Sequence, residues 1–214
     1  MKGLNHPYSV PMHTARSPGL AGRLFLWFAD RLLDGHFQQL ILEEGQVPPG
    51  PLLVLANHSG WWDPFLVHAL NRRRWGRRFH VMMLETELSQ RKFFRRVGAF
   101  SWNRGDRTDA IRGVAYAAGL LTDPANLVLI FPQGEIRSQH QPTQGFGSAP
   151  RWILAQAGVV VNTIFVSLLW DYGSRARPTA TVRWTVDKPE IGAGTLGDRF
   201  NAFLTAARDR HVAP

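Results

Sequence analysis

His58 and Asp63, with four residues between them in the run Asn57-His58-Ser59-Gly60-Trp61-Trp62-Asp63-Pro64, are the pair of side chains in this chain best suited to acid–base chemistry. The run lies where an apolar stretch ends and a helical pattern begins, the usual place for active sites in α/β sheets. A turn at the strand end brings His58 back toward the helix start. A carboxylate there can hold the proton of one ring nitrogen and leave the other free as a base. The same residues have a purely structural reading, with Asp63 as N-cap, Pro64 at the first helical position and His58 a bystander. The residues alone leave both readings open. The chain has no cysteine, which excludes a thiol nucleophile, a thiolate metal site and a disulfide framework.

The elements that must position this pair follow from hydrophobic patterning. Residues 52–56 form a continuous apolar run, the mark of a strand buried on both faces, and similar runs recur at 80–84, 127–131 and 159–169. Residues 37–43 look like a further strand, closed by the turn-forming 47–50, and 179–186 alternate like a last one. Helical patterns fall at 21–34, 64–71, 88–97, 108–121, 149–157 and 196–210, with start signals at Thr108, at Ser148 before Pro150, and at Thr195 with Asp198 three residues on. Strands alternating with helices predict a single α/β domain over 19–214, with a largely parallel or mixed central sheet flanked by helices. Residues 1–18, polar and rich in Pro and Ser, read as a flexible arm.

Charge and apolar surface bear on partners. Lys+Arg number 25 against 16 Asp+Glu, a net +9, which draws the chain toward polyanions such as anionic lipid headgroups. Much of the surplus sits in 72–78 and 91–96. The first helix, 21–34, has Phe25, Phe28, Leu32 and Leu33 on one side, and Leu24, Leu26 and Trp27 widen the apolar arc. Packing against the core and docking on a membrane both account for such an arc. Its most apolar stretch falls far short of the ~20 residues needed to span a bilayer, so the chain is expected to lie on a membrane and not to cross it here.

The chain resembles the glycerolipid acyltransferase family, which includes the lysophosphatidic acid and glycerol-3-phosphate acyltransferases. The run from Asn57 to Asp63 is similar to the family's N-H-x4-D block. Gly98 to Arg104, a glycine followed six residues later by an arginine, resembles its second block. Phe131-Pro132-Gln133-Gly134-Glu135-Ile136-Arg137-Ser138 resembles its third, typically F-P-E-G-T-R-S. The resemblance implies transfer of a fatty acyl group from an acyl thioester, acyl-CoA or acyl-carrier protein, to the hydroxyl of a lysophospholipid or similar lipid alcohol. His58 would be the general base, oriented by Asp63. Backbone N–H groups around Gly134 would face the oxyanion, and Arg104 and Arg137 would grip the acceptor's phosphate. No metal and no cofactor are implied, and the enzyme would sit peripherally on the cytoplasmic face of an anionic membrane.

Two departures touch the acceptor. Gln133 stands where the family has Glu, with Glu135 a candidate to supply the carboxylate, and Ile136 displaces Arg137 by one residue. Two other readings stand beside it: a thioester hydrolase that uses the same His–Asp pair to activate water, and a non-catalytic basic module for lipid or nucleic acid, which would account for the net +9 and the eight tryptophans. Neither a basic module nor nucleic acid as a partner explains three ordered blocks. A further pattern, Gly192-Ala193-Gly194-Thr195-Leu196-Gly197, fits the dinucleotide fingerprint, but too little chain follows to complete such a unit. It reads as a loop leading into a helix.

Overall fold

The four continuous apolar runs become the four central strands of one seven-stranded sheet, in the spatial order β6-β2-β5-β3. A computed structural model describes residues 12–16, 18–103, 105–141, 144–189 and 194–211. Helix α1 (Leu20–His36) leads into β1 (Gln39–Leu42), and β2 (Leu52–Ala56) is followed by α2 (Asp63–Leu70), which runs on into a wider turn, Asn71–Trp75. Next come β3 (Arg78–Leu84), α3 (Glu85–Gln90), a tight helical turn Lys92–Val97 and β4 (Ala99–Trp102). Helix α4 (Arg107–Leu120), β5 (Asn126–Ile130), α5 (Ala149–Gln156), β6 (Asn162–Asp171), β7 (Thr179–Val186) and α6 (Leu196–Asp209) complete the order.

The sheet runs β1-β7-β6-β2-β5-β3-β4 and is mixed: β6 and β7 are antiparallel, and every other neighbouring pair is parallel. Every residue of β2 and β5 is buried, as strands covered on both faces require. One core cluster, with Leu52, Val54, Leu66 and Leu70, lies on the α2 face; the other, with Leu53, Leu55, Val114 and Phe200, lies under α4, α5 and α6. Because β2 and β5 are adjacent and parallel, with Leu55 beside Ile130, the loops that follow them emerge side by side. Strand β4, by contrast, is at the sheet edge, two strands from β5, so the second block starts ~10 Å from the third by strand spacing alone.

Several boundaries differ from the sequence expectation, for local reasons. Helix α1 passes Gly35 and ends at His36, where buried Phe37 turns extended while its N–H still bonds Leu33 O at 2.9 Å. The helix expected over 88–97 is two pieces with a break at Arg91, and the tight second piece brings both Phe93 and Phe94 against Phe25 of α1. Strand β4 was not anticipated. Helix α4 is capped by Asp106, which accepts from Thr108 and Asp109 N–H, so Thr108 is inside the helix and not its cap. Ser148 flanks α5 without a side-chain cap bond, whereas Thr195 and Asp198 form the reciprocal capping box on α6. That box occupies the described end of the glycine pattern; Gly192 and Ala193 lie outside the described residues, and no described strand follows α6.

Within the expected arm, residues 12–16 lie along the outer edge of β4. Ser101 N–H donates to His13 O at 2.9 Å and His13 N–H to Ser101 Oγ at 2.7 Å, covering an edge that would otherwise present open backbone groups. Residues 1–11 and 17 lie outside the described residues. Among the described residues no helix is long and apolar enough to cross a membrane.

Candidate active site

The loop after β2 is tied down at both ends. At its start, Asn57 reaches across to β6: its amide donates to Leu168 O at 2.9 Å and its carbonyl accepts Leu168 N–H at 2.7 Å. The same amide donates to Ser59 Oγ at 2.9 Å. At its end, Asp63 is fully buried, and its Oδ2 accepts from Ser59 N–H at 2.5 Å, Gly60 N–H at 2.8 Å and His58 Nδ1–H at 2.9 Å. The loop therefore curls around one carboxylate oxygen.

This geometry replaces the capping expectation. Asp63 is the first residue of α2, Trp62 precedes it in helical conformation, and no side chain caps the helix. The carboxylate points back to the loop and takes the histidine with it. His58 keeps one-fifth of its side-chain surface exposed, and no described residue bonds its Nε2. The ring lies flat on Phe131, with centroids 4.1 Å apart and planes 18° from parallel.

The loop after β5 supports the same histidine from the other side. Gln133 Oε1 accepts His58 N–H at 2.5 Å, its amide donates to buried Gln144 at 2.6 Å, and Arg137 N–H donates to His58 O at 2.8 Å. Gln133 thus acts as a donor and an acceptor at once, which a carboxylate does not do. Glu135 does not take over that place: it lines the cavity below His58 and pairs with the Arg137 guanidinium, Nε at 2.8 Å. Gly134 adopts a left-handed backbone, φ 70°, and its N–H closes a turn onto Phe131 O at 3.0 Å. The glycine's own N–H is therefore occupied, and the N–H groups of Glu135 and Ile136 are left without a partner among the described residues.

The second block joins this arrangement only in part. Gly98, at φ 96°, is packed so tightly that a Cβ would lie 2.1 Å from Phe79 O; its role is to let β4 leave its turn against β3. Arg104 lies outside the described residues. Arg107, three residues on, lines the cavity. So does His68 on α2, whose imidazole is pushed below its usual pKa chiefly by burial. Sequence reasoning assigned no role to Asn57, Gln144 or Arg107. Asn57 stood in the first block and had a signal, a polar amide ending an apolar strand; Gln144, in a loop, had none.

A histidine held by a buried carboxylate thus stands beside a mostly apolar cavity at the carboxyl ends of the parallel strands. The family comparison makes this specific: the model of the acyltransferase family matches residues 41–167, more than half of the sequence, and the chain belongs to that family. No curated protein matches the sequence. Among solved structures the chain is similar to the 1-acyl-sn-glycerophosphate (LPA) acyltransferase PlsC of Thermotoga maritima, with a TM-score of 0.53 at 13% identity, over 88% of this chain and 77% of that one. That likeness is one of fold.

Proposed function

We propose that the protein transfers a fatty acyl group from an acyl thioester, acyl-CoA or acyl-carrier protein, to the hydroxyl of a lysophospholipid or similar lipid alcohol. The observation that carries this is the His58–Asp63 pair, with Nε2 free at the mouth of the apolar cavity. Nε2 takes the proton of the acceptor hydroxyl as its oxygen attacks the thioester carbonyl. A carbon–oxygen bond forms, the carbon–sulfur bond breaks, and the imidazolium returns the proton to the departing thiolate. Asp63 fixes the tautomer and balances the imidazolium charge, an arrangement worth ~10²–10⁴-fold as general base catalysis. The free N–H groups of Glu135 and Ile136, beside Gly134, are the donors we assign to the oxyanion. No metal or resident cofactor enters these steps.

For the acceptor's head we assign Arg104 and Arg137, with Glu135 orienting the latter. We place the enzyme peripherally on the cytoplasmic face of the membrane. Supporting this, α1 exposes Leu20, Leu24, Trp27, Phe28 and Leu32 on its outer side. The reading is tested with acyl-CoA, a panel of lysolipids and lipid alcohols, and identification of products by mass. We expect one acylated lipid, abolished in a folded His58→Ala variant. Arg137→Ala should raise KM roughly tenfold for a phosphorylated lysolipid and much less for its dephosphorylated counterpart. Release of free fatty acid, indifferent to every acceptor, would instead mark a hydrolase.

A further inference from the structure

The cavity beside His58 has a volume of about 1110 Å³, and its walls are mostly apolar. Ordinary ligand pockets hold ~300–1,000 Å³. Its walls also belong to both faces of the sheet. Phe65, His68, Phe79 and Val81 bound it on the α2 face; Met82, Trp102, Val114 and Trp152 bound it on the α4 face. Val81 and Met82 are consecutive in β3, so their side chains point to opposite faces. One chamber touching both must pass the sheet somewhere.

The pairing shows where. Strands β3 and β5 are joined from Arg78 beside Asn126 to Val81 beside Leu129. β5 ends one residue later, at Ile130, while β3 runs on to Leu84 paired with β4, which leaves a gap in the sheet past the end of β5. The residues around this gap, Met82, Met83 and Leu84 on β3 and Ile130 and Phe131 at the end of β5, all line the cavity. Phe131 is the ring on which His58 rests, so the histidine stands beside the gap, where the two sides of the cavity, its two arms, adjoin. Both arms are deep. From Phe131 to the level of Phe79, which pairs with Leu127, is ~13 Å at strand rise. From Arg107 to Val114 along α4 is ~10 Å at helix rise.

We propose that the two arms hold two apolar chains at once, the acyl chain of the thioester in one and the chain of the acceptor in the other. The acceptor is then a single-chain lipid alcohol drawn into the protein, and not a hydroxyl presented by lipid that stays wholly in the bilayer. This rests on the acyltransferase reading above. A single chain with its carbonyl at His58 fills one arm only, leaving the apolar wall of the other in water at ~25 cal/mol per Å². Two chains whose reactive ends meet at the gap fill both, and bring hydroxyl and carbonyl together beneath one base.

The test uses the full chain carrying His58→Ala, with two inert probes: a hexadecyl thioether of CoA and an ether lysophosphatidic acid with a hexadecyl chain. Equilibrium binding and native mass spectrometry should show both bound together. Ala110→Trp fills the α4-side arm and Met83→Trp the α2-side arm. Each should weaken one probe by roughly tenfold or more and spare the other, a different probe in each variant. Competition between the probes in the protein without either tryptophan overturns the proposal, and needs no cavity-filling variant to fold. So does an acceptor affinity that does not change when its chain is shortened to hexyl. If both probes bind together but no lipid is acylated by the wild type, the functional reading falls and the two-chain chamber stands. If acylation occurs and the probes compete, the reverse holds.

Discussion

Asp63 Oδ2 takes three N–H groups, while Oδ1 is buried with no partner among the described residues. An asparagine here keeps an acceptor for the two backbone N–H groups. It also puts an amide donor where nothing accepts, and offers no charge to an imidazolium. The stability cost should be about 1–3 kcal/mol. The loss in kcat should be far larger, on the order of 10⁴-fold, because the wrong tautomer and an unbalanced imidazolium both fall on the reaction. Single-turnover acyl transfer beside a thermal melt separates the two; turnover within tenfold of wild type in folded Asp63→Asn protein would remove Asp63 from the mechanism. His68 bears on pH. Burial holds its folded pKa below the ordinary imidazole value of about 6.5, so below that pH the unfolded chain takes up a proton that the folded protein refuses. Stability is thus complete above the unfolded pKa and falls as pH drops beneath it. His68→Phe should lose less stability than wild type between neutral pH and about pH 5, read from urea midpoints; identical curves would show that His68 stays solvated. The His–Asp pair was legible in the sequence because its spacing straddles a strand end. The Gln133–Gln144 bond was not, since both residues lie in the one irregular connection between β5 and α5, where no periodicity says which side chains meet.

Helix α1 shows how far a sequence pattern resolves an element's faces. The wide apolar arc resolves into two faces: Gly22, Ala29 and Leu33 are buried with Phe25 turned inward, whereas Leu20, Leu24, Trp27, Phe28 and Leu32 face out. Phe28 and Leu32, expected beside Phe25 and Leu33, are thus on the outer face. The arginines expected to help docking are also differently engaged. Arg72 and Arg73 pair with Asp30 and Asp34 of α1 itself, Arg74 with Glu44 and Arg78 with Asp123. Arg72 and Arg73 thus anchor the helix to the body, and all four have an acidic partner. Arg23 and Arg31 on α1, with Lys92 and Arg96 on the turn that packs beneath it, have no acidic partner among the described residues. We therefore expect Trp27→Ser/Phe28→Ser to abolish most liposome co-sedimentation. Arg23→Ala/Arg31→Ala should weaken binding to anionic vesicles by roughly 2 kcal/mol, about 1 per residue. Arg72→Ala/Arg73→Ala should do much less. Equal loss from the two arginine pairs would contradict the division. Helix positions were readable because periodicity survives ambiguity at the ends. The four-residue β4 was not, because a strand that short carries too little alternation to be seen.

The molecule as a whole works because a mixed sheet sets the first and third blocks on adjacent parallel strands while its two faces form separate cores. The sequence contained the fold class in its four buried runs, but not their spatial order, which depends on pairings between strands far apart in the chain. Nor did it contain the end of β5 short of β3, which is a matter of register. The two cores share β2: Leu52 and Leu53, neighbours in sequence and both fully buried, point to opposite faces. If the sheet couples the faces, losing either side chain unfolds both. Leu52→Ala and Leu53→Ala should each cost about 2–5 kcal/mol, by transfer and by the cavity left behind. At ~2–4 °C per kcal/mol for a domain of this size, each lowers Tm by roughly 4–20 °C. Both variants should keep one transition, coincident by far-ultraviolet circular dichroism and by tryptophan fluorescence. Trp75 and Trp184 report the α2-face core and Trp102 the opposite one. A Leu53→Ala protein in which fluorescence and dichroism melt apart would mean that the faces unfold separately. The chamber that spans them would then join two independently stable halves, and a substitution on one face would leave the other's half of the cavity standing.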